Sequence, residues 1–205
     1  MNTYIQSMKN ALTSYHNAAK EAEAKAEQAK NTYQRDVAAE QVKKIDAELL
    51  TKKREAIDAI TDAKDKGIEA ARRWGALDGS KIDDGDMKLL KFDLSPEQFE
   101  AMVDRHRNNG TMCFILGQYA EKHNRAETTP GEYGLTGRLN PLIIPTVENK
   151  INAYTKLAES AIGTIENMGG YGWGKGTNSV FVESAVKSFG TPNPANYALF
   201  EALEG

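Results

Sequence analysis

Along the first third of the chain, apolar or small residues return in alternating steps of three and four: Ile5, Met8, Leu12, Tyr15, Ala19, Ala22, Ala26, Ala29 and Tyr33. This is a heptad seam, and it predicts a long amphipathic helix that offers a partner a face made largely of methyl groups. Beyond Tyr33 the register slips. Val37 or Ala38 carries it poorly, and a second stripe runs through Val42, Ile45, Leu49, Ala56, Ile60, Ala63, Ala71 and Trp74. Such a slip is a stutter or a bend. Between Asn2 and Asp78 there is no proline, and the first glycine is Gly67, so helix is the default state of this stretch. Left unbroken, it forms a rod on the order of 110 Å long at ~1.5 Å per residue. Folded back near "AKNTYQRD", it forms a hairpin of half that length. No glycine or proline marks a reversal there, so both forms stay open.

The remaining segments read as shorter helices. Residues 75–93, "GALDGSKIDDGDMKLLKFD", end the first helical stretch with glycines and acids and are expected to be a connector. "LSPEQF" opens a helix with Ser95 as cap, Pro96 in the first turn and Gln98 at the third position, turning Phe99, Met102 and Val103 inward. After "RNNG", Thr111 is the expected cap of a helix through Ile115 and Tyr119 to about His123. A loop spans 124–140, and a further helix begins at Asn140 and Pro141 or at Pro145. Its stripe is Val147, Ile151, Tyr154, Ala158, Ala161, Ile165 and Met168. A glycine-rich turn follows at 169–178, then a short helix from Ser179 to Phe189 stopped by Gly190, and a last helix capped by Asn193. No run alternates as a strand does. The expected fold is therefore all-α: a helical coiled-coil arm or hairpin over 1–78, a connector over 79–93, and a compact helical domain over 94–205.

Charge adds detail to the first stretch. Glu21 with Lys25, Glu40 with Lys44, Glu48 with Lys52 and Asp62 with Lys66 each place an acid four residues before a base, the spacing of a solvated helix face. Over all 205 residues the formal net charge is −3 with the signs interleaved, which argues against nucleic acid or an anionic membrane as partner. A single cysteine, Cys113, rules out an internal disulfide. No segment approaches the ~20 apolar residues of a membrane span, and "MNTYIQSMKNALTSYH" has no signal-peptide core, so a cytoplasmic location is expected.

Candidate chemistry is sparse. "GGYGWGK" (Gly169 to Lys175) has the spacing of a phosphate-binding loop, but Gly176 stands where a hydroxyl is needed, and a helix precedes it where a strand should. The same segment can instead present Tyr171, Trp173 and Lys175 as a contact loop, since aromatics anchor interfaces. His106, Cys113 and His123 converge only if two helices run antiparallel, as a zinc trio or as a thiol with His106 as base. No cofactor and no catalytic role is expected.

One stretch carries a resemblance. "LSPEQFEAMVDRHRNNGTMCFILGQYAEKHN" (94–124), downstream of a charged helical arm, resembles small proteins encoded among the virion-structure genes of tailed phages and prophages. The resemblance implies a head or tail assembly role and incorporation in a virion, and it transfers no site residues. With the seam from Ile5 to Tyr33 as contact stripe, the expectation is a non-enzymatic structural protein that forms homo-oligomers or docks into a larger assembly. Two rival readings remain: an adaptor holding a peptide or helix in the 94–205 domain, and a nucleotide binder using Gly169–Thr177.

Overall fold

The structure, a computed structural model, describes residues 2–126, 138–168, 177–191, Phe200 and Leu203. Every regular element among them is helical: α1 (Thr3–Thr32), α2 (Arg35–Trp74), α3 (Asp84–Leu89), α4 (Pro96–His106), α5 (Gly110–Ala126), α6 (Val147–Asn167) and α7 (Thr177–Ser188), with 3-10 turns at Gly79–Lys81 and Pro141–Ile143. The fold class is all-α, and α1 and α2 pack against each other as a hairpin. The chain divides into two compact units, Met1–Gly67 with Tyr154–Asn193, and Ile68–Ala153 with Pro194–Gly205. This division falls within α2 and α6, where the sequence suggested breaks at 78 and 93.

In the first unit the hairpin reverses through Tyr33 and Gln34 alone. Tyr33 is extended (φ −108°, ψ 157°), its N–H donates to the Ala29 carbonyl at 3.0 Å, and the Gln34 carbonyl accepts from Ala38 N at 2.9 Å. One extended residue closes the last turn of α1 while Gln34 opens the first of α2. No left-handed residue is needed, which is why no glycine marks the turn. Asn2 starts α1 by accepting from Tyr4 N, and its amide donates to the Tyr154 hydroxyl at 2.7 Å.

The seam of α1 is buried inside this unit. Ile5, Met8, Leu12, Tyr15, Ala19, Ala22, Ala26 and Ala29 are all closed to solvent, as are Leu49, Ala56, Ile60 and Ala63 on α2. The residues expected to form an intermolecular contact stripe are, Tyr33 excepted, covered within the chain itself. Tyr33 is 51% exposed, because the reversal takes it out of the helical register. Helix α6 reaches α1 where Tyr154 meets Tyr4 edge-on at 5.9 Å, and α7 reaches it where Lys20 meets Glu183 at 3.1 Å. Large side chains line α1 up to Tyr15, and alanines follow, with Ala22 lining a common cleft with Ile45 and Leu49 of α2. Of the four acid–base pairs, Asp62–Lys66 forms at 2.8 Å, while Lys52 turns to Glu55.

In the second unit, α4 and α5 enclose Phe99, Met102, Val103, Cys113, Leu116 and Ala120, joined by Leu139 and Ile144. The Ser95–Gln98 capping box is complete. The connector is more ordered than its composition suggested: Asp78 caps the 3-10 turn, and Asp83 caps α3 by accepting from Gly85 N and Asp86 N. Asn109, not Thr111, caps α5 by accepting from Met112 N at 3.2 Å; Thr111 is buried and accepts from Asp78 N. Helix α5 continues to Ala126, and Asn124 exchanges two hydrogen bonds with Leu139, clamping the ends of the expected 124–140 loop. Residues 127–137 of that loop lie outside the described residues. Asn140 caps only the 3-10 turn, and Thr146 opens α6 by accepting from Asn149 N. The expected last helix lies outside the described residues except Phe200 and Leu203, both helical and buried.

Two glycines of the first unit separate packing from propensity. A Cβ on Gly67 would sit 2.8 Å from the ring of buried, hydrogen-bonded Tyr154, whereas one on Gly163 of α6 meets nothing within 4 Å. Gly163→Ala is expected to raise stability by about 0.5–1 kcal/mol and Gly67→Ala to lower it. Urea denaturation of both variants measures this, and equal shifts would contradict the packing described.

Candidate functional site

An apolar concavity of the second unit lies along α5. Helix α5 carries two faces. Leu116 and Ala120 turn into the core, while Gly110, Phe114, Gly117 and Glu121 fall at i, i+4, i+7 and i+11 on one other stripe. Beside that stripe stand the end of α2 and the segment entering α6. Trp74, Cys113, Phe114, Gly117, Pro141, Ile144 and Val147 are among the residues enclosing an apolar groove of ~280 Å³, with Gln118 and Thr146 among its polar contributors. Phe114 is 52% exposed and nearby Leu142 is 87% exposed. Next along α5, a second hollow is lined by Gly117, Glu121, Asn124, Arg125, Arg138 and Pro141, with Glu121 and Arg125 ion-paired along the helix.

Gly110 brings α2 and α5 together, because a Cβ there would lie 2.1 Å from the Trp74 carbonyl oxygen. The Trp74 indole is held beneath the Lys150 ammonium, 4.5 Å from the ring centroid, and its buried Nε1 has no hydrogen-bond partner among the described residues. Lys150 is itself buried, and burial pushes its pKa down. Cys113 donates its thiol to the His106 carbonyl at 3.2 Å, and burial pushes the thiol up to about 11. A thiol so placed is a packing group; a nucleophile needs the thiolate.

A second cluster joins α3 to α4. Asp86 is buried, its carboxylate 2.7 Å from His106 Nε2 and 3.3 Å from Arg105, while Asp83 accepts two backbone N–H groups. Asp83, Asp86 and His106 each offer one atom within 4.8 Å of the others, a spacing a cation could use. Arg105 already supplies the positive charge, and every carboxylate is engaged in a cap or ion pair. The arrangement fastens two helices.

The residues singled out from sequence fall as follows. His106 and Cys113 are neighbours, but through the His106 backbone; the imidazole faces Asp86, so no thiol–imidazole pair forms. His123 lies further along α5 against Tyr119, ring centroids 5.9 Å apart, and does not complete a zinc trio. His16 is buried in α1, where burial pushes its pKa down. Tyr171, Trp173 and Lys175, with the rest of the Gly169–Lys175 segment, lie outside the described residues. The groove was missed because its walls come from three distant stretches. The signal that could have found it is the Gly110–Phe114–Gly117–Glu121 stripe, which lies beside the core stripe, about 100° around the same helix.

No family model matches the chain, and no curated protein or solved structure matches it either.

Two outcomes test this chemistry. At pH 8 the folded protein is expected to react with a thiol reagent at least on the order of a hundredfold more slowly than the denatured chain, because the raised pKa and burial both deplete accessible thiolate. Comparable rates would show Cys113 to be open. Asp86→Ala is expected to cost about 1–3 kcal/mol by orphaning His106, read as a lowered urea midpoint.

Proposed function

We propose that this protein is a non-enzymatic structural component that acts by docking onto another protein surface through the α5 groove of its second unit, in keeping with the virion-assembly role implied by the 94–124 resemblance. The observation that carries the reading is the placing of an exposed aromatic, Phe114, and an apolar groove on one accessible helix stripe. An apolar hollow beside an aromatic side chain is the anatomy of an interface hot spot, where an anchor enters a desolvated pocket and a polar rim excludes water.

The heptad seam does not support docking in this conformation, since α2 and its neighbours cover it. This moves the contact from the 1–78 stretch assigned from sequence to the unit built around α4 and α5. A virion component remains with its particle. Mass spectrometry of purified particles from prophage-induced cells of the source strain is expected to find this chain at fixed stoichiometry, and Phe114→Asp is expected to abolish its incorporation. Absence of the chain from particles, or unchanged incorporation of the variant, would contradict the reading.

A further inference from the structure

A buried histidine stands where α7 meets α1. His16 is closed to solvent on α1, one helical turn before Lys20, and Lys20 reaches across to Glu183 of α7 at 3.1 Å. Glu183 also pairs along its own helix with Lys187 at 3.5 Å. Among the described residues, the charged groups acting on the imidazole are therefore Lys20 from its own helix and Glu183 and Lys187 from α7, with none from α2 or α6. Val182, Val186 and Phe189 give α7 its buried apolar side. The Lys20–Glu183 pair is solvated on both sides and contributes little, so the apolar side of α7 and the neutral ring beside it carry the contact.

Only one member of this cluster changes charge near neutral pH. The hydrogen bond from Lys20 and the charge of Lys187 hold the Glu183 carboxyl below the usual carboxylate range, so it stays ionised well into acid, and the lysines stay cationic. An imidazole in water takes up a proton near pH ~6.5. In the closed contact that proton is opposed first by burial of the ring and then by Lys20 and Lys187, and Glu183 alone favours it. Once α7 lifts and water reaches the ring, the opposition falls away. Because the closed form binds the proton less tightly than the open one, the contact is at full strength above about pH 6.5 and weakens as the pH falls from there, until the buried ring itself protonates.

We propose that α7 is an acid-released latch on α1: proton uptake by His16 frees the helix and bares the apolar side formed by Val182, Val186 and Phe189. The latch belongs to the first unit and is independent of docking through the α5 groove.

The test uses the full chain carrying Val186→Cys, whose thiol meets dithiodipyridine, a thiol reagent active in acid, only when α7 lifts. Buried Cys113 of the second unit is the internal reference. Protection is the rate in the denatured chain divided by the rate in the folded chain at the same pH. Between about pH 7.5 and 5.5 it is expected to fall several-fold at position 186, with a ceiling of about tenfold for one group of ordinary pKa near 6.5, while Cys113 keeps its protection. His16→Gln, neutral at every pH, is expected to flatten the profile. Protection at position 186 that does not change with pH, that falls together with that of Cys113, or that falls equally in the His16→Gln chain overturns the proposal. Should the glutamine chain fail to fold, NMR of the unsubstituted chain decides: a His16 ring titrating at or above about pH 6.5 overturns the latch, and one titrating below it with α7 resonances shifting in step supports it.

Discussion

The closure of α2 on the methyl face of α1 is the constraint from which the rest follows. An alanine seam buries little area per turn; each alanine in place of leucine forgoes roughly 2 kcal/mol of burial. It is covered nonetheless: Ala26, on this face, is fully closed to solvent. Helix α6 meets α1 at Tyr4, where the seam carries large side chains, and α7 meets it at Lys20, among the alanines.

This closure redirects the functional question. A seam open to solvent would make the hairpin the contact surface; a sealed one leaves the search to other faces. Helix α5 has what α1 lacks, a core stripe through Leu116 and Ala120 and a separate stripe through Phe114 and Gly117 that is not fully covered by the described residues. Near that stripe, Trp74, Lys150 and Cys113 form a dry wall. The buried cation lies over an aromatic face, and the thiol is hydrogen-bonded and protonated. These are groups positioned to hold shape, and shape is what a docking groove requires.

Much of the helical grammar was legible in the chain. Ser95, Pro96 and Gln98 spell a capping box because each orphan donor at a helix start needs an acceptor in register, and that requirement is local. The seam was legible for the same reason. Its partner was not: a methyl stripe is equally served by a helix of the same chain or of another. The reversal at Tyr33 stayed one of two open forms because an extended residue needs no unusual composition. Thr111 and Asn109 both can cap; tertiary structure chose Asn109 and gave the Thr111 hydroxyl to Asp78. The connector concealed α3 because the capping power of Asp83 was lost among neighbouring acids. The groove needs Trp74, Cys113 and Val147 to meet, and no local rule brings together residues so far apart in the chain.

The central claim is that the chain satisfies its own heptad seam. Lys25 of α1 and Lys52 of α2 line one cleft of the hairpin, so the distance between spin labels on Lys25→Cys and Lys52→Cys, measured by double electron–electron resonance, tests it most directly. The account predicts one short separation, under about 20 Å, as for labels on adjacent helices. A distribution centred near 40 Å, the span of the intervening residues in one continuous helix at ~1.5 Å each, would contradict it.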